Sequence, residues 1–218
     1  MRGIFVTGTG TEVGKSVVAA AIARTAASSG RRVAVFKPAV SGLDDEGEPD
    51  HELLRRAAGS AQSDDEISPY RFGPPVSPHL AAEMASETIE PGRILTEARS
   101  AADDAELLVC EGVGGFLVPL APDYLVRDFA RQLALPVAIA ASPGLGTINH
   151  TLLTVEAVRS AGLDPVAVVL TPWPDRPAGV EESNREAIAT LGSISVLALP
   201  QLDLDRPDTW PELGLAGG

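Results

Sequence analysis

A glycine-rich loop that ends in a basic residue and a hydroxyl constrains this chain more than any other feature. Gly8-Thr-Gly-Thr-Glu-Val-Gly-Lys-Ser16 falls between a short apolar run at residues 4–7 and an alanine-rich helical stretch at about 14–28. Strand, glycine loop and helix in that order form a cradle for phosphate. Glycines let successive backbone N–H groups turn inward, and the helix start adds positive potential. In such a cradle Lys15 reaches the outer phosphates and the Ser16 hydroxyl ligates Mg²⁺. The spacing departs from the commonest form, which requires glycine at position 9, where this chain has Thr9; its glycines fall at 8, 10 and 14. A glycine-rich turn carrying a chance Gly-Lys-Ser is the plain alternative, and the strand–loop–helix setting favours phosphate. Some switch ATPases carry a second lysine five residues before the main one; that position is Gly10, which argues against their class.

The formal net charge is −13 over 218 residues. Such a field repels nucleic acid and anionic membrane, so neither is an expected partner. It also means that a polyphosphate site must gather its positive charge locally, which makes a lysine near the loop informative. Hydrophobic residues make up 44% of the chain but aromatics only 4%, so an aliphatic core is expected. That composition suits parallel strands buried on both faces. The single cysteine, Cys110, sits in an apolar run, excludes an intrachain disulfide and reads as core. No window approaches the roughly 18 apolar residues of a membrane span, and the chain enters a strand directly, so a soluble, cytoplasmic protein is expected.

Short aliphatic runs recur at about 32–36, 107–110, 137–141, 165–170 and 194–198. Helical candidates separate them at about 51–58, 91–102, 126–133, 148–160 and 180–190. Alternation of this kind predicts an α/β fold: a doubly wound, mostly parallel sheet with helices on both faces, of the P-loop NTPase-like type. The whole chain, 1–218, is expected to form one domain. Residues 62–86 hold four prolines and little periodicity, and read as a long loop that is either substrate-binding or merely irregular. Residues 203–218 are weakly patterned, and weak order is expected there.

Five motifs in order give the chain a family resemblance. The run Thr7-Gly-Thr-Gly-Thr-Glu-Val-Gly-Lys-Ser16 resembles the phosphate loop of dethiobiotin synthetases. Lys37-Pro-Ala-Val-Ser-Gly42, Ser77-Pro-His79, Glu111-Gly-Val-Gly-Gly115 and Leu145-Gly-Thr-Ile-Asn-His150 are similar to that family's other motifs. The resemblance covers roughly residues 1–200. It implies a homodimeric ligase that joins 7,8-diaminopelargonate and CO₂ (or bicarbonate) with Mg²⁺ and ATP, giving dethiobiotin, ADP and phosphate. The rivals are a nucleotide-driven switch of the partitioning or metal-insertion type and a glutamine-dependent amide-forming ligase. Cys110 is badly placed to serve the latter.

Carried over by resemblance, Lys15, Lys37 and Thr11 are the catalytic candidates. The nucleotide falls to Gly10, Thr11, Glu12, Val13, Gly14, Lys15, Ser16 and Val17, with Thr171, Pro172 and Pro200 on the base side. Thr11, Lys37, Ser41, Ser77, Pro78, Gly114, Leu145, Gly146, Thr147 and Asn149 are the substrate candidates, the 145–149 segment coming from the partner subunit. Ser16, Asp50 and Glu111 are the Mg²⁺ candidates. Asp44, Asp45, Glu46 and Glu48 rival Asp50, and Ser41 reads equally as a turn residue. His150 reads as structural, and His79 as part of the substrate loop. The family's Asn-Asp pair, whose amide reads adenine, is replaced by Thr171-Pro172 in the run Thr171-Pro-Trp-Pro-Asp175. Loss of that amide predicts relaxed base specificity, with other triphosphates accepted.

Overall fold

The computed structural model describes residues 2–215. Six strands form one sheet: β1 (Gly3–Gly8), β2 (Val33–Phe36), β3 (Leu107–Gly115), β6 (Val137–Ala141), β7 (Pro165–Trp173) and β8 (Val196–Pro200). Their order is β2-β3-β1-β6-β7-β8 and every pairing is parallel. β4 (Pro119–Ala121) and β5 (Tyr124–Leu125) make a separate antiparallel hairpin.

Alternation along each strand divides the core into two layers. Ile4, Val6, Val35 and Val109 face α1 (Lys15–Ser28) and α2 (Asp50–Ala58). Phe5, Phe36, Leu108 and Cys110 face the other layer. This contains α5 (Pro91–Asp103), α6 (Val126–Leu133), α7 (Thr147–Ser160) and α8 (Gly179–Gly192). Helices therefore cover both faces, as the near-continuous aliphatic strands require. α1 is buried along most of its length, and alanine makes up most of its buried residues.

The structure corrects several boundaries. Residues 62–86 are not loop throughout. Ser63 and Glu66 form a reciprocal capping box that starts α3 (Asp64–Ile67), and Pro78 opens α4 (Pro78–Met84). β3 runs five residues beyond Cys110, because its glycines continue beside β1 as far as the Gly8–Gly115 pair. β7 likewise continues through the Thr171–Pro172 bond, which is cis, to pair Trp173 with Pro200. The last strand lies two residues later than expected, because Ser193 adopts a left-handed conformation to end α8 before the chain turns.

The segment after β8 is anchored, contrary to its weak pattern. Trp210 and Leu213 are buried against the α1–α2 layer. Trp210 Nε1 donates to Asp203 O at 2.7 Å, and Thr25 on α1 accepts a hydrogen bond from Leu213 N at 2.8 Å. Residues 216–218 of that segment lie outside the described residues. Among the described residues no helix is long and apolar enough to cross a membrane.

Candidate active site

Parallel pairing puts the C-terminal ends of all six strands on one edge of the sheet, and the motif residues sit there. The chain leaves β1 between β3 on one side and β6 on the other, the place where an open α/β sheet leaves a crevice. The glycine loop fills it. Thr9 N donates to Ala140 O at 3.0 Å, tying the loop to β6. Gly115 lies beside Gly10 Cα, so the end of β3 closes its other side.

Gly14 is the N-cap of α1 with φ of 81°, a conformation that glycine adopts freely. A methyl group there would lie 2.5 Å from Thr171 Cγ2, so the phosphate loop and the end of β7 are in direct contact. Thr11 and Glu12 form the exposed tip of the loop, while Val13 and Val17 are half-buried. Lys15 is buried, and its ammonium donates back to Gly10 O at 2.8 Å. Burial lowers the Lys15 ammonium below its usual range, with the Glu111 charge opposing that shift.

Five side chains from four separate segments meet beneath the loop. Lys37 Nζ donates to Asp50 Oδ2 and to Glu111 Oε1, each at 2.6 Å. Ser16 donates to the same Glu111 Oε1 at 2.8 Å. Lys37 is 3% exposed and Glu111 not at all, whereas Asp50 is partly open to solvent. Burial alone would lower the Lys37 ammonium, but the charges of Glu111 and Asp50 outweigh it and raise it above the ordinary value, holding the lysine protonated. Burial raises Asp50 as well, but the charge and hydrogen bond of Lys37 win and hold it below the usual carboxylate range. Burial pushes the Glu111 carboxyl up against the pull of Lys37. Its Oε1 accepts from both an ammonium and a hydroxyl, the pattern of an ionised carboxylate.

Asp50 is singled out from its rivals by the helix it begins. As the first residue of α2 it is aimed at Lys37, while Glu48 pairs with Arg56 and the Asp44 carboxylate lies against Gly73. Ser16, Asp50 and Glu111 offer hard oxygen donors of the kind Mg²⁺ takes, and Glu111 Oε2 is buried with no hydrogen-bond partner. Two carboxylates and a hydroxyl suit Mg²⁺, which keeps waters and phosphate oxygens for its other positions. Among the described residues no group of three or more His, Cys, Asp or Glu side chains makes a separate metal site.

The remaining expected residues line the same edge without joining this cluster. Ser41 is half-buried just past Val40, whose main chain bridges to Arg71. Ser77 precedes Pro78 at the start of α4, which packs on β4. Gly114 has φ of 59° and turns the chain beside Val118. Gly146 caps α7, Thr147 is buried with its hydroxyl 3.3 Å from that of Thr151, and Asn149 faces solvent. Leu145 is 98% exposed. Thr171 is buried, Pro172 exposed, and Pro200 ends β8 next to them. Cys110 is core; burial raises its thiol well above the usual range.

Local sequence gives no signal for two features. His150 is exposed and lines an open cavity of about 460 Å³ with Thr9, Thr11, Gly115 and Leu153. Asn184 on α8 is buried and donates to Pro143 O at 2.9 Å and Gly144 O at 3.2 Å, holding the turn that feeds α7. One available signal points straight at the centre: Lys15 and Lys37 are the only two lysines among 17 basic residues.

Comparisons with known proteins identify the family. The family model described as "AAA domain" matches residues 2–207. The "ATP-dependent dethiobiotin synthetase BioD" of Bacillus subtilis (strain 168) is 36% identical over 200 residues, 91% of this chain and 87% of that protein. The protein of the same name from Rhodococcus erythropolis is 38% identical over 197 residues, 89% of this chain and 86% of its own. That from Anaeromyxobacter dehalogenans (strain 2CP-1) reaches 44% over 171 residues, 78% and 76% of the two chains. With its phosphate loop, its parallel sheet and relatives of this length and identity, the chain belongs to the ATP-dependent dethiobiotin synthetase family.

Proposed function

We propose that the chain is a cyclo-ligase that closes the urea ring of dethiobiotin from 7,8-diaminopelargonate, CO₂ and ATP, as a single domain acting in the cytoplasm. The observation that carries the reading is the convergence of Lys15, Ser16, Lys37, Asp50 and Glu111 at the strand ends. Gathering both lysines of an acidic chain at one point makes sense for a reaction between anions.

One substrate amine first takes up CO₂ as a carbamate and loses a proton. A carbamate oxygen then attacks the γ-phosphorus, the bond to the β-phosphate oxygen breaks, and ADP leaves. The second amine attacks the carbonyl carbon of the resulting mixed anhydride, phosphate departs, and the ring closes. No protein nucleophile is needed, so the work is positioning and charge stabilisation. The loop N–H groups and Lys15 hold the β- and γ-phosphates, with Thr11 at the reacting end. Lys37 offsets charge on the carbamate and the moving phosphoryl group, and Ser41, Ser77, Pro78 and Gly114 shape the substrate side. Ser16, Asp50 and Glu111 would hold Mg²⁺, which would neutralise charge on the phosphate oxygens.

The substrate carboxylate is received by Gly146, Thr147 and Asn149 at the start of α7 in a homodimer, with Leu145 beside them. Exposure of Leu117, Leu145 and Leu153 supports an apolar contact there. Thr171, Pro172 and Pro200 contact the base by packing and main chain, without a selective amide.

Purified protein incubated with diaminopelargonate, bicarbonate, Mg²⁺ and ATP is expected to yield dethiobiotin by mass, and none when any component is omitted. Tight nucleotide binding without product would refute the ligase reading and favour a nucleotide-driven switch.

A further inference from the structure

The Lys37 ammonium lies 2.6 Å from Asp50 and 2.6 Å from Glu111, the carboxylates assigned above to Mg²⁺. Ser16, the third member of that set, donates to the same oxygen of Glu111 that Lys37 holds. The lysine thus sits on the metal's ligands instead of standing free for a carbamate.

Two buried or half-buried carboxylates side by side need a cation. An ion at a Mg–O distance of about 2.1 Å from Asp50 Oδ2 or Glu111 Oε1 lies at most about 4.7 Å from an ammonium that stays where it is, and one on the unpartnered Glu111 Oε2 shares that carboxylate with it. With Lys37 and Glu111 both buried, repulsion between a dication and an ammonium at that range is only partly screened. A lysine also suits exchange. It carries a point charge on a flexible stem, whereas the planar fork of an arginine would lock on a carboxylate through two bonds. The chain uses arginine for every basic residue except the two in this site.

We propose that Lys37 is the site's resident counter-cation: it neutralises Asp50 and Glu111 until a divalent cation is bound, and the exchange releases its ammonium to the reacting anions. The inference rests on the assignment of Ser16, Asp50 and Glu111 to Mg²⁺ and deepens the role given to Lys37. It makes cation loading the step that arms the catalytic lysine, so a nucleotide entering without metal meets a lysine still held by its carboxylates.

Having two lysines makes the test direct. Protein labelled with ¹³C at lysine Cε gives two lysine side-chain signals, which Lys15→Arg assigns. The Lys37 signal is expected to stay unmoved when a non-hydrolysable ATP analogue is added in EDTA, and to shift when Mg²⁺ follows. Electron paramagnetic resonance with Mn²⁺ in place of Mg²⁺ reports occupancy independently of turnover. In the same assay Lys37→Met is expected to bind Mn²⁺ at least roughly tenfold tighter than the native chain, because the competing ammonium is gone. A Lys37 signal that stays put at Mg²⁺ concentrations that fill the site, or that moves with the analogue alone, would overturn the exchange while leaving the metal ligands standing. Equal or weaker Mn²⁺ binding by a folded Lys37→Met would overturn it too. Absence of any Mn²⁺ site in the native chain with the analogue present would remove the metal assignment itself, and this proposal with it.

Discussion

Gly14 allows two demands on the phosphate loop to be measured separately. Its φ of 81° lies in the left-handed region, where a side chain costs about 1–2 kcal/mol. A methyl group there would also stand 2.5 Å from Thr171 Cγ2, against 3.4–4 Å for ordinary contact, so loop or strand end must yield by about 1 Å. Overpacking of this kind costs about 1–3 kcal/mol, so Gly14→Ala is expected to lose about 2–5 kcal/mol in total. Thr171→Ser removes only the offending methyl group, leaving Thr171 Cβ and Oγ1 at 3.8 and 3.9 Å. The double variant should therefore recover the overpacking part and keep the backbone part. Urea unfolding of the four proteins gives the coupling, and calorimetric ATP titration gives its functional share. A tenfold recovery of ATP affinity in the double variant corresponds to about 1.4 kcal/mol of binding free energy. If the two substitutions add within about 0.5 kcal/mol, the loop and the β7 end are not in the contact described, and the reasoning fails.

Other outcomes are equally specific. Trp210→Ala should lose about 3–5 kcal/mol in denaturant unfolding, because a buried ring and its 2.7 Å bond to Asp203 O are both removed; a change under about 1 kcal/mol would mean the tail is not anchored. Asn184→Leu strands two carbonyls of the 143–144 turn, and should raise KM for diaminopelargonate about tenfold while leaving KM for ATP unchanged. Equal effects on both would make the residue merely structural. Lys37→Ala should abolish most turnover with nucleotide binding kept, whereas Lys15→Ala should weaken both; near-normal ring closure by Lys37→Ala would refute its role. Turnover should be comparable on ATP, CTP and GTP, and a roughly hundredfold preference for ATP would show that another group reads the base.

Legibility followed the range of the interaction. The strand–loop–helix around Lys15 and the boundaries of α6 at Val126–Leu133 are local patterns, and both stand in the structure as expected. Residues 62–86 show no helical pattern because the capping box of Ser63 and Glu66 starts a helix too short for periodicity. The tail carries no local pattern because Trp210 and Leu213 are isolated apolar residues, whose partners on α1 lie far back in the chain. Asp50 was one of several loop acids until the position of α2 aimed it at Lys37.

By itself the sequence determined the phosphate cradle, the aliphatic parallel sheet and the family, because each depends on neighbouring residues: glycines that free the backbone, strands of one period, motifs of fixed spacing. Tertiary structure alone decided which side chains meet. Ser16 reaches Glu111 across 95 residues and Lys37 reaches it across 74, because the strand order puts β3 between β1 and β2. Strand order comes from how the layers pack, and no local pattern encodes which ends will share a crevice. The pairing of one lysine with both Asp50 and Glu111 is a fact of that packing.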